Sequence, residues 1–104
     1  MKRGEVWWVR FPDPVGRRPA VLVSGDQAYR VRAAVTVVPL TQTIRRIPVE
    51  VPLGPADGIP RKSVANVDAI TTVPKHLLED YLTTLAIPKL QALDQAIKFA
   101  LDLP

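Results

Sequence analysis

Between Glu5 and Phe11 the chain reads EVWWVRF, a run of β-branched and aromatic residues suited to a pleated, half-buried surface. It ends at Pro12-Asp13-Pro14, where no strand ladder can continue, so Glu5 to Phe11 is expected to be a first strand. After the turn residues Val15-Gly16-Arg17, the segment Arg18 to Ser24 is almost continuously apolar, the pattern of a central strand buried on both faces. Ala33 to Leu40 and Ile47 to Leu53 repeat this pattern across the polar segment Thr41 to Arg46, so they are expected to be neighbours joined by a short connection. Pro48 and Pro52 assign the fourth strand to an edge. Gly54 to Arg61 is a loop rich in Gly and Pro, and Ser63 to Val73 returns to strand composition with room for two short strands.

The β portion is expected to stop there. Pro74 opens the segment PKHLLEDYL, which we assign to one helical turn because Pro is favoured at the first helical position. Residues 88 to 102 are expected to form an amphipathic helix, with Pro88 at its start and Leu90, Leu93, Ile97, Ala100 and Leu101 on one face. Five to seven short strands followed by one helix, without internal repeats, predict a mainly β chain: a small barrel with a C-terminal amphipathic helix, residues 1 to 104 forming one domain.

Composition narrows the functional classes. No stretch approaches the roughly 18 apolar residues of a membrane span, and the N-terminus lacks the apolar core of a signal peptide, so a cytoplasmic protein is expected. With no cysteine and one histidine, His76, there are too few soft ligands for zinc, and no metal or other cofactor is expected. The net charge of +4 is uneven: residues 1 to 75 carry 12 basic and 6 acidic side chains, residues 76 to 104 only 2 and 4. The cations come in pairs, Lys2-Arg3, Arg17-Arg18, Arg45-Arg46 and Arg61-Lys62, at the ends of apolar segments. Clustered charge on loops suits a polyanion such as RNA, although solvating charges that flank strands leave the same pattern.

RNA can be cut without a metal when its own 2′-hydroxyl attacks the adjacent phosphorus. The protein then has to supply position and charge: a forked guanidinium for the phosphorane oxygens and a neutral hydroxyl beside it. Arg18 precedes Pro19, whose ring restricts the arginine backbone to extended conformations, and Thr41 directly follows the third strand. Both sit at strand ends that could share one rim. A surface arginine in a turn and a turn-capping threonine are the alternatives that spacing leaves open.

Three ordered blocks carry a resemblance. Arg3-Gly4-Glu5-Val6-Trp7-Trp8-Val9 with Gly16-Arg17-Arg18-Pro19-Ala20-Val21-Leu22-Val23, then Val38-Pro39-Leu40-Thr41, then Lys62 to Val73, resemble the MazF/PemK toxins over residues 3 to about 78. The resemblance implies a barrel of the SH3-like or CcdB/MazF type, a homodimer, and sequence-specific cleavage of single-stranded RNA leaving a 2′,3′-cyclic phosphate and a 5′-hydroxyl. It also implies inhibition by an acidic, MazE-like antitoxin and a catalytic pair at Arg18 and Thr41. Because a guanidinium stays protonated, electrostatic stabilisation suits Arg18 better than proton transfer, which leaves the acceptor of the 2′-hydroxyl proton unassigned.

Arg17, Gln42, Arg45, Arg46, Arg61, Lys62, Ser63 and Asn66 are the candidate RNA contacts, with Arg45, Arg46, Arg61 and Lys62 positioning phosphates without reading sequence. Trp7 and Trp8 point to opposite faces of their strand, so at most one is core while the other stacks on a base or a dimer partner; packing is the favoured role. His76 falls at a variable position of the resemblance. The connection Pro12 to Arg17 is shorter than in many members, and Asp68-Ala69 lacks a glutamine that some relatives carry in the base-reading region. Two other classes share the pattern: a CcdB-like gyrase poison, whose activity needs a tryptophan-containing C-terminus where this chain has Phe99-Ala100-Leu101-Asp102-Leu103-Pro104, and a degenerate member that binds RNA or antitoxin without cutting.

Overall fold

Ala20, Val21 and Leu22 are wholly shielded from solvent, and the chain is arranged around the strand that contains them. A computed structural model describes all 104 residues. Its strands are β1 (Glu5–Arg10), β2 (Arg17–Leu22), β3 (Ala34–Thr41), β4 (Glu50–Leu53), β5 (Ser63–Asn66), β6 (Thr71–Pro74) and β7 (Leu78–Thr84). Two helices accompany them, a single turn α1 (Ala28–Val31) and the C-terminal α2 (Ile87–Leu101).

All pairings are antiparallel, in the order β4-β5-β3-β2-β1-β7 with β6 added to β3. β3 belongs to three ladders. Its first residues pair with β6 and its middle with β2, whereas Leu40 and Thr41 pair with Ala65 and Val64 of β5. The result is the mainly β architecture with a C-terminal helix expected from the sequence, with seven strands at the top of the expected range. β4, β6 and β7 each keep one unpaired edge, so the bent sheet does not close into a ring.

Because side chains alternate along a strand, β2 feeds both faces of this sheet. Val21 joins Val6, Val38, Leu40 and Leu93 in the larger core under α2, while Ala20 and Leu22 join Val9, Phe11 and Val37 in a second cluster on the opposite face. The continuous apolar run read as a doubly buried strand is therefore what the fold uses.

Three expectations need correction. β3 and β4 are not neighbours, because β5 lies between them: Ala65 pairs with Leu40 of β3 on one side and with Val51 of β4 on the other. β4 keeps the expected edge, where Pro52 leaves no ladder bond unmade. The segment after Pro74 makes one 3-10 turn at Lys75–Leu77 and then returns to the sheet as β7 against β1, so the β portion does not stop at Val73. Its charges, Glu79 and Asp80, look out of place in a strand until the arginines facing them are known. In α2, Leu93 and Ala96 are buried and Leu90, Ile97 and Ala100 pack on the core, but Leu101 is 52% exposed. Leu101 lies about 80° round the helix from Leu93, at the margin of the buried face.

α1 was not anticipated. No helix is long and apolar enough to cross a membrane. Leu93 is fully buried between α2 and the sheet, so Leu93→Ala is expected to cost about 2–5 kcal/mol in urea denaturation, whereas Leu101→Ala should stay within about 0.5 kcal/mol of the wild type.

Candidate active site

The register of β2 on β3 pairs Ala20 with Pro39, Val21 with Val38 and Leu22 with Val37. Carried two positions further, it sets Arg18 opposite Thr41. Both residues line one open cavity of about 360 Å³, together with Trp8, Arg17, Gln42 and Arg61 among others. The rim foreseen from strand ends is thus formed where β3 leaves β2 for β5.

Arg18 makes no ion pair, and its only side-chain bond is a long one, 3.4 Å, from Nη2 to the Val15 carbonyl. Its charge is uncompensated within the cavity. The Thr41 hydroxyl oxygen accepts the Thr43 N–H at 3.2 Å, which closes the turn after β3. That is the turn-capping role considered above, and it leaves the hydroxyl proton free to be donated to a second partner. Arg61 is exposed on the same cavity and makes no ion pair.

The loop bearing Arg61 is pressed onto the sheet at Gly58. Its φ is +85°, and a Cβ there would fall 2.5 Å from Thr83 Oγ1 on β7. Ser63 lines the cavity, but its hydroxyl donates to the Arg61 carbonyl at 2.9 Å, so it shapes the loop that carries the cation.

The other expected contacts divide. Arg17 lines the cavity, yet its Nε donates to Glu79 at 2.8 Å and its Nη2 to Asp80 at 2.8 Å, while the guanidinium carbon stands 4.4 Å over the Trp8 ring. Glu79 also accepts from Arg10 Nε at 2.8 Å. The bonds from Arg10 and then Arg17 hold the Glu79 carboxyl below the usual carboxylate range. The Glu79 bond raises Arg17 further, partial desolvation opposes it, and Asp80 adds to the rise.

Arg45 lies outside the cavity, bound through Nε to Glu50 at 2.9 Å. Asn66 is also outside it; its side chain accepts the Asp68 N–H at 3.1 Å and a weaker bond from Arg45. Arg46 and Lys62 line a separate cleft of about 480 Å³ with Lys89, and only Ser63 borders both. The single expected groove of cations is therefore two clefts, with Arg45 neutralised between strands.

Glu50 is the least anticipated member of this region. Its side chain is 1% exposed and accepts the N–H groups of both Arg45 and Arg46 as well as the Arg45 guanidinium. Burial pushes its carboxyl up, but these donors outweigh burial and hold it below the usual range. Trp8, Glu79 and Asp80 were missed as site residues for different reasons. Trp8 carried a signal, its alternation with Trp7, although core or dimer packing was favoured for both. The two carboxylates carried none, since their strand was not recognised.

A bent antiparallel sheet with an arginine and a threonine facing one cavity is the frame of a small toxin class. The chain matches, over residues 2–101, the profile of the family described as PemK-like, MazF-like toxin of type II toxin-antitoxin system, and it belongs to that family. It is 42% identical over 102 residues, spanning 96% of this chain and 92% of the relative, to a protein named probable endoribonuclease MazF5 of Mycobacterium tuberculosis. Its fold superposes with a TM-score of 0.88 and 35% identity on an endoribonuclease in complex with its cognate antitoxin from Mycobacterial species, covering 100% of this chain and 97% of that one. A TM-score of 0.88 with 27% identity relates it to the Mycobacterium tuberculosis toxin MazF-mt6, covering 96% and 98% of the two chains.

A carboxyl held below its ordinary value of 4.5 stabilises the fold above that pH, and the contribution is lost as pH falls through the lowered folded-state value. Thermal melts from neutral pH to below 4.5 should therefore show Glu50→Gln less stable than wild type near neutrality, the two converging as the solution is acidified. A constant gap at all pH values would rule out this role for the carboxylate.

Proposed function

We propose that this chain is a metal-independent endoribonuclease that cuts single-stranded RNA, and that residues 1 to 104 act as one toxin domain. The observation that carries the reading is an uncompensated Arg18 sharing a cavity with the Thr41 hydroxyl, in a chain of the PemK-like and MazF-like toxin family. The 2′-hydroxyl of the substrate attacks its own phosphorus, and negative charge builds on the nonbridging oxygens. The Arg18 guanidinium offers a fork to two of them, and the Thr41 hydroxyl donates a neutral hydrogen bond. Because the nucleophile belongs to the RNA, the products are a 2′,3′-cyclic phosphate and a 5′-hydroxyl.

Arg61 and, in the neighbouring cleft, Arg46 and Lys62 supply phosphate contacts along the strand. Gln42, exposed on the cavity, is the polar side chain best sited to meet a base or sugar. The active form is a homodimer in the cytoplasm, inhibited by an acidic antitoxin segment that competes for the same cations. Relatives named as endoribonucleases, one of them solved with its cognate antitoxin, support this reading over a gyrase poison.

Purified protein incubated in EDTA with a long single-stranded RNA is expected to cleave it, with cyclic phosphate on the upstream fragment. Removing one preorganised donor to a developing oxyanion costs about 10²- to 10³-fold, and Arg18→Ala and Thr41→Ala should each fall in that range. Because both act on one charge, the double variant should lose less than the product of the two. Equal cleavage by wild type and Arg18→Ala would remove the basis of the proposal, and inhibition of gyrase supercoiling without RNA cleavage would favour the alternative.

A further inference from the structure

Arg17 looks like a second phosphate contact, since it sits beside Arg18 in sequence and on the same cavity. Its surroundings point elsewhere. A guanidinium grips a phosphate with donors that lie in its plane. In Arg17, Nε is taken by Glu79 and Nη2 by Asp80, both at 2.8 Å, so one forked edge is already closed by carboxylates. A phosphate nearing the remaining edge meets those two negative charges. The local cluster, Arg10 and Arg17 against Glu79 and Asp80, is neutral in sum. Arg18 and Arg61 on the same cavity make no ion pair, and the cavity's positive potential belongs to them.

What Arg17 presents is its flat face. One side covers the Trp8 ring at 4.4 Å, and the side chain remains 36% exposed at the edge of the cavity. A base stacks on guanidinium planes as readily as on aromatic rings, and the indole beneath makes the plate thicker and more rigid. The in-plane bonds to β7 keep the guanidinium from turning edge-on.

We propose that Arg17 is a stacking plate for one nucleobase of the substrate, with Trp8 as its support and Glu79 and Asp80 as the positioning residues that hold it flat. The inference rests on RNA being the substrate. It assigns to β7, none of whose residues lines the cavity, a part in substrate binding that depends on bases and not on backbone charge.

The test compares two uncleavable strands of equal length and charge, a random-sequence oligodeoxynucleotide pool and a strand of abasic units, by fluorescence anisotropy over a range of salt. Arg17→Ala should weaken the base-bearing pool by about five- to a hundredfold while leaving the abasic strand and the salt dependence unchanged. Arg17→Lys keeps the charge but has no flat face, so it should not restore binding of the pool. The paired change Glu79→Gln with Asp80→Asn should erase the preference for bases and steepen the salt dependence, as the freed guanidinium turns to phosphate. Thermal melts establish that each variant is folded. Equal losses on both strands, a salt slope flattened by about 0.7, or rescue by Arg17→Lys would make Arg17 a phosphate contact and overturn the proposal, as would unchanged binding. A wild type that cuts RNA in EDTA yet shows one of those patterns defeats this inference alone, whereas one that neither cuts RNA nor binds either strand defeats the functional reading with it.

Discussion

Strand β3 cannot satisfy one flat ladder along its whole length. Its first six residues are held by β2 and β6, and its last two by β5, so the strand must leave one set of partners for another. That departure bends the sheet, creates the two faces that Val21 and its neighbours Ala20 and Leu22 fill, and opens the gap between β2 and β5 in which the cavity lies. Thr41 is the last residue of β3, and Arg18 lies across from it where β2 and β3 part. The polar pair therefore faces open space because the backbone ladder beside it has ended.

Around that gap the fold sorts its cations. Arg10 and Arg17 meet Glu79 and Asp80, and Arg45 meets Glu50, whereas Arg18 and Arg61 meet no acid. A charge already matched to a carboxylate adds little to the field that a polyanion feels, while an unmatched one at the wall of a concave surface adds most. Pairing thus concentrates the positive potential of the cavity on Arg18 and Arg61. It also orders what surrounds Arg18: Glu50 fixes the loop after Thr41 through the N–H groups of Arg45 and Arg46, and Glu79 fixes Arg17 over Trp8. Preorganised dipoles and charges stabilise a transition state because they need no rearrangement as its charge develops. Buried or bridging carboxylates at the margin of the cavity serve that end without touching a substrate.

The strand content, the terminal helix and the position of Arg18 and Thr41 at strand ends were legible because each rests on local constraints. Alternation and apolar runs follow from the pleat, Pro19 restricts the residue before it, and the face formed by Leu90, Leu93, Ile97 and Ala100 follows from helical pitch. Family likeness then singled out Arg18 and Thr41 as the proposed catalytic pair, a choice that spacing alone could not make. What was missed depended on partners distant in sequence. β7 was read as helical because Pro74 opens its segment, and what makes Glu79 and Asp80 fit a strand is that Arg10 and Arg17 face them across the sheet. β5 lies between β3 and β4, an order fixed by strand pairing across the assembled sheet and not by the succession of segments along the chain.

The same division applies to the site with which the reading began. Sequence by itself determined that an arginine and a threonine stand at the ends of consecutive central strands, with cations clustered nearby and no soft metal ligands in number. Tertiary structure alone decided which of those cations keep an unmatched charge, since a carboxylate 62 or 63 residues away in the chain decides Arg17 and none decides Arg18. The physical reason is one of range: backbone periodicity is a property of neighbours in the chain, whereas electrostatic pairing is a property of neighbours in space.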